Sequence, residues 1–142
     1  MVISPDLMEE MLADLRAAFP AEGCGLVGGR DGVALGVFPI RNADASPVHY
    51  TLDPREQLAA MEEIDAREWD LLAIFHSHTR TRPFPSVTDI EMARVAGDFY
   101  PDALYVIASL AHWEQPEVRA FRITGTEVSE VRIEVQDRSV TR

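Results

Sequence analysis

Between Asp70 and Asp89 the chain reads D-L-L-A-I-F-H-S-H-T-R-T-R-P-F-P-S-V-T-D, and no other stretch restricts the possible folds as much. Leu71 to Phe75 is an uninterrupted apolar run of strand length, the pattern of a strand buried on both faces. The run ends in His76-Ser77-His78. Side chains alternate along a strand, so His76 and His78 project to one side and Ser77 to the other. Two imidazoles one strand repeat apart can hold a single cation. Pro83 and Pro85 then turn the chain into an expected helix that begins at Ser86, where Asp89 can supply a third ligand. Two histidines and a carboxylate with a fourth position open are the donor set of a catalytic rather than a structural zinc. A second reading needs no metal: Ser86 and Asp89 have the S-x-x-D spacing of a helix cap. The two readings are compatible, because Ser86 can cap the helix and still present its hydroxyl.

A sequence of 142 residues suits one domain with a proper core. No apolar run approaches the roughly 20 residues that cross a bilayer, and the first residues lack the basic-then-apolar pattern of a signal peptide. Cys24 is the one cysteine, which excludes an intrachain disulfide and a cysteine-rich metal site and suggests a cytoplasmic location. The net charge of -11 would repel a phosphate backbone, so nucleic acid is not an expected partner, and without a spanning run neither is a membrane.

Along the chain, Ser4 to Ala18 reads as a helix with Ser4 as cap, Pro5 at its first position and a stripe of Leu7, Met11, Leu15 and Ala18. A glycine-rich strand after Glu22, an Asp31-Gly32 turn and a return strand from Val33 to Ile40 form a hairpin. Val48 to Leu52 reads as a short strand. Asp53-Pro54-Arg55-Glu56 opens a second helix in capping-box fashion, with Leu58, Ala60, Met61 and Ile64 inward and its end near Trp69. The third helix is expected from Ser86 to about Phe99. Ala103 to Leu110 reads as a strand, and Val118 to Thr124 with Val128 to Val135 as a terminal hairpin. The expectation is an α/β domain over residues 1–135, a mixed β-sheet flanked by three helices, with residues 136–142 as a flexible tail.

Other candidates are weaker from residues alone. Glu22 is one of 24 acidic residues, and a loop glutamate is ordinarily solvated. Cys24 reads as a small buried hydrophobe rather than a metal competitor or redox brake. Arg80 and Arg82 flank the site. Either could pair with the carboxylate of a product amino acid or with the acidic rim of a carrier protein, and solvated loop charges are an equal alternative. His49 and His112 have no partner spacing.

The motif H-S-H, seven residues, S, two residues, D, with an upstream glutamate, resembles the metal signature of the JAMM (MPN-plus) metalloprotease family. The resemblance runs from the first helix to the last hairpin. Three stretches, E-G-C-G-L-V-G-G, N-A-D-A-S-P-V-H-Y-T-L-D-P-R-E-Q-L and H-S-H-T-R-T-R-P-F-P-S-V-T-D, are similar to the bacterial peptidases of that family that act on sulfur-carrier–cysteine adducts. Many relatives carry proline where this chain has Thr79. The resemblance implies a deaminase-like fold, one zinc ion on His76, His78 and Asp89, Glu22 as general base and then acid, and Ser86 steadying the oxyanion. Thr79 and Arg80, in the loop after the second histidine, are expected beside substrate. It further implies a hydrolase that cleaves the amide bond after the C-terminal glycine of a ubiquitin-like (β-grasp) sulfur carrier and releases cysteine for biosynthesis. The alternatives are an isopeptidase acting on carrier conjugates, a metal-free scaffold, and a RadC-type protein, which the charge and the H-S-H-T context disfavour. Oligomeric state, including a homo-oligomer, stays open.

Overall fold

The computed structural model describes residues 1–137. Eight strands form one mixed sheet: β1 (Val2–Ile3), β2 (Cys24–Arg30), β3 (Val33–Ile40), β4 (Asp70–His78), β5 (Leu104–Ser109), β6 (Glu117–Thr124), β7 (Glu127–Val131) and β8 (Glu134–Val135). Three helices complete it: α1 (Pro5–Ala18), α2 (Pro54–Ala66) and α3 (Val87–Ala96). The strands run β7-β6-β5-β4-β2-β3-β1-β8 across the sheet. β4 pairs parallel with β5 and antiparallel with β2, so it lies in the middle, where an apolar run is expected to sit.

Each face of the sheet has its own core. α1 lays Met11, Leu12 and Leu15 on one face, against Val27, Phe75 and Val106. α2 and α3 cover the other, where Ala60, Ile64 and Ala93 meet Leu26, Ile74 and Tyr105. Period-2 alternation along β4 sends Phe75 to the α1 face and Ile74 to the α2–α3 face. Gly25 lets the strands close: a Cβ there would collide with the Phe75 ring and the Phe38 carbonyl. No helix among the described residues is long and apolar enough to cross a membrane.

The caps at Ser4 and Asp53 form as expected. Ser4 accepts from Leu7 N and Asp53 from the amides of Arg55 and Glu56. Several expectations are corrected. Glu56 does not close a capping box; its carboxylate accepts from Arg41 N at 2.7 Å, across the loop. α2 ends at Ala66, three residues before Trp69. Leu58 is exposed, because the inward stripe runs through Ala60, Met61 and Ile64 and Leu58 lies outside that phase. Val48 to Leu52 is not a strand: one bridge joins Leu52 to Asn42, and the Asn42 side chain holds the intervening loop instead. α3 stops at Ala96, with Gly97 as its cap. Val128 to Val135 is not one strand either. Pairing with β6 ends at Val131, and Glu134–Val135 crosses to the far edge to pair parallel with β1, a strand whose two residues carry no periodic signal. Gln136 N then donates to Ile3 O. The remainder of the expected flexible tail, 138–142, lies outside the described residues.

Candidate metal centre and catalytic cleft

His76 and His78 share the face of Ile74 and come to the end of β4, under α2 and α3. Their Nε2 atoms are 3.2 Å apart. Asp89 Oδ2, from the first turn of α3, is 3.2 Å from His76 Nε2 and 2.9 Å from His78 Nε2. All three side chains are buried. Donor atoms placed tetrahedrally about 2.0–2.2 Å from a zinc ion would be about 3.3–3.6 Å from one another, and the three observed separations approach that triangle. The proton inventory supports the fit. His78 Nδ1 lies 2.9 Å from the Arg82 carbonyl, so that nitrogen carries a hydrogen and Nε2 presents its lone pair inward. A carboxylate oxygen and an imidazole lone pair at 2.9 Å repel unless a proton or a cation lies between them. The donor set therefore fits a divalent cation.

Titration follows the same crowding. Burial holds His76 below the ordinary histidine range. Burial also acts to lower His78, but its bonds to Asp89 and to the Arg82 carbonyl raise it on balance. Burial would raise Asp89, yet the two imidazoles draw its carboxyl far below the usual range.

Asp89 and Ser86 make the reciprocal cap foreseen from their spacing. Ser86 Oγ accepts from Asp89 N at 3.0 Å, and Asp89 Oδ2 accepts from Ser86 N at 2.9 Å. The cap orients the Asp89 carboxylate, and the hydroxyl proton of Ser86, which lines the cleft, remains free to point into it.

Glu22 is not the solvated loop residue that its context suggests: it is 3% exposed. Two bonds between Gly23 and Ser77 lock its position. Ser77 N donates to Gly23 O at 3.0 Å, and Gly23 N donates to Ser77 Oγ at 2.8 Å. Ser77, fully buried on the face opposite the two histidines, thus fastens the start of β2 beside them. Glu22 N donates to Ser46 O, and its carbonyl accepts from Asn42 Nδ2. Its Oε1 has no partner, and burial pushes the carboxyl up to about 8. An unpaired buried carboxylate near neutrality is a candidate base.

Glu22, His78 and Ser86 line one cleft of about 330 Å³ with Pro47, Val48, Thr79, Arg80 and Thr81. Thr79 Oγ1 donates to Pro47 O across it. Arg82 turns away, with its guanidinium 5.0 Å over the Phe84 ring. Cys24 is buried, donates to Ile40 O at 3.2 Å and has its thiol pushed up to about 12 by burial, as befits a small hydrophobe. His49 sits half-exposed beside Asp44, and His112 is exposed. A larger cavity of about 540 Å³ opens at the other end of β4, by Asp70 and Leu71, and has no histidine in its lining.

Two site residues escape sequence reasoning. Tyr50 stacks on His76, with ring centroids 4.4 Å apart. Asn42 ties Glu22 to the loop through Nδ2, which also donates to His49 O, while its Oδ1 accepts from Asp44 N and Thr51 N. A loop asparagine and a loop tyrosine carry no periodic signal, and their partners lie on distant elements.

Comparison with known proteins agrees with this geometry. The chain is 35% identical over 137 residues to the CysO-cysteine peptidase of Mycobacterium tuberculosis, covering 95% of this chain and 90% of that protein. It is 32% identical over 120 residues to the desampylase of Haloferax volcanii, covering 82% and 80%. The solution structure of protein DSY2949 from Desulfitobacterium hafniense superposes with a TM-score of 0.82 at 40% identity, covering 96% of this chain and 92% of that one. The model for prokaryotic homologs of the JAB domain matches residues 4–124. With that match spanning all three helices and the sheet from β2 to β6, the chain belongs to the prokaryotic JAB-domain family and has its JAB/MPN fold.

Proposed function

We propose that this protein is a zinc metallopeptidase that hydrolyses the amide after the C-terminal glycine of a ubiquitin-like sulfur carrier, releasing cysteine from a carrier–cysteine adduct. The observation that carries the reading is the convergence of His76, His78 and Asp89, a cluster whose His78 lines the same cleft as Ser86 and the buried Glu22, whose Oε1 has no partner. A divalent cation held by the three supplies Lewis acidity to a carbonyl and acidifies water. Glu22 takes the proton of the attacking water as its oxygen bonds the carbonyl carbon. It returns that proton to the amine nitrogen as the C–N bond breaks. The Ser86 hydroxyl donates to the developing oxyanion, a contribution of a few kcal/mol when such a donor is preorganised. Substrate choice draws on the likeness to a CysO-cysteine peptidase along nearly the whole of both chains. The same likeness, with the single cysteine, supports a cytoplasmic role in cysteine biosynthesis.

The likeness to a desampylase favours a second reading, an isopeptidase that removes a carrier from protein conjugates. Mass spectrometry decides between them. A β-grasp protein ending in Gly-Gly, linked either to L-cysteine or to a lysine side chain, is incubated with the zinc-loaded enzyme, with and without chelator. Chelator-sensitive release from the cysteine adduct alone supports the first reading. Release from the lysine conjugate alone supports the second, and no release from either sinks both.

A further inference from the structure

We propose that Arg80 recognises the free α-carboxylate of the departing amino acid, so that the cleft is built for an amide joining a carrier to one terminal amino acid. The proposal rests on the hydrolytic reading above and adds which amine leaves. Arg80 is the only lysine or arginine among the residues lining the cleft, and it makes no hydrogen bond, ion pair or ring contact among the described residues. Arg82, two residues on, differs: its guanidinium lies over the Phe84 ring.

The residues on both sides of Arg80 are tethered, Thr79 by its side chain and Thr81 by its carbonyl, while the Arg80 side chain is free. Thr79 Oγ1 is bound to Pro47 O, and the Thr81 carbonyl accepts from Ser109 Oγ at 2.6 Å. The tethered root spares the backbone any ordering on meeting a ligand, and the side chain is not drawn away by a competing partner. Charge supplies the reason for a cation here. A carboxylate entering beside Glu22 and Asp89, in a chain of net charge -11, meets repulsion that a guanidinium fork offsets with two parallel hydrogen bonds.

Chemistry fixes the place. The α-carboxylate of a terminal amino acid is bonded to the carbon next to the scissile nitrogen. Its partner must therefore sit in the same cleft as the catalytic groups. A lysine attached through its side chain puts a methylene chain there and no carboxylate.

The test compares a Gly-Gly-ending β-grasp protein carrying C-terminal L-cysteine with the same protein carrying L-cysteinamide, using zinc-loaded wild type, R80Q and R80K. Wild type should favour the acid over the amide by about 10- to 100-fold in kcat/KM, the range for a charge-assisted pair. In R80Q the ratio should collapse towards one, and R80K should keep an intermediate ratio. A ratio near one in wild type, or an undiminished ratio in R80Q, overturns the role of Arg80 and leaves the hydrolytic reading standing. Cleavage of neither substrate by wild type overturns that reading, and this proposal with it.

Discussion

A buried carboxylate without a partner costs stability, and Glu22 bears that cost at the base of the cleft. Its carboxyl is raised from 4.5 to about 8. Glu22 therefore contributes most favourably below pH about 4.5, and the contribution is lost as pH rises through about 8. Glu22→Gln removes the charge and keeps the shape. The variant should lose turnover by about 10²-fold or more, and in metal-free protein it should melt a few degrees higher than wild type at pH 8. The melting difference should shrink as pH falls towards 4.5. A variant less stable than wild type at pH 8 would contradict the account. The cluster of His76, His78 and Asp89 was legible because each position follows from local rules: strand alternation for His76 and His78, and helix-cap spacing for Asp89. The burial of Glu22 was not legible, since it depends on Gly23 meeting Ser77, 54 residues away, and on Asn42 and Tyr50 closing over the site.

At the scale of elements, the N-terminus of α3 joins folding to chemistry. One reciprocal cap both starts the helix and aims Asp89. Ser86→Ala should cost about 1 kcal/mol in denaturant unfolding and lower kcat by about 10²-fold. Ser86→Thr, which keeps a capping hydroxyl, should recover most of the stability. Equal losses of stability in both variants would argue against the cap. Helix starts at Ser4, Asp53 and Ser86 were readable because the capping chemistry lies within four residues. Endpoints were less so: Glu56 turns to Arg41, and the break after Val131 follows from which edge strand is free to receive Glu134 and Val135, a question of topology rather than propensity.

Across the whole molecule, two consecutive strands, β7 and β8, stand at opposite edges of the sheet. The chain's end thereby ties the N-terminal strand in place: Glu134 N donates to Met1 O and Gln136 N to Ile3 O, each at 2.9 Å. A protein ending at Ile133 should lose about 1–3 kcal/mol in urea unfolding, and the amides of β1 should exchange faster with solvent. Unchanged protection of Val2 and Ile3 would contradict this. Three strands, β2, β3 and β1, separate β8 from β4 in the sheet order, so the truncated protein, while folded, should take up zinc as the full chain does on the proposed reading.

The central claim is that His76, His78 and Asp89 hold one zinc ion. It is tested most directly by dialysing metal-free wild type and the His76→Ala/His78→Ala variant to equilibrium against zinc, then measuring zinc per chain by elemental analysis. The account predicts one equivalent on wild type and none held by the folded double variant. Wild type that retains no zinc, or a double variant that retains as much as wild type, would contradict it.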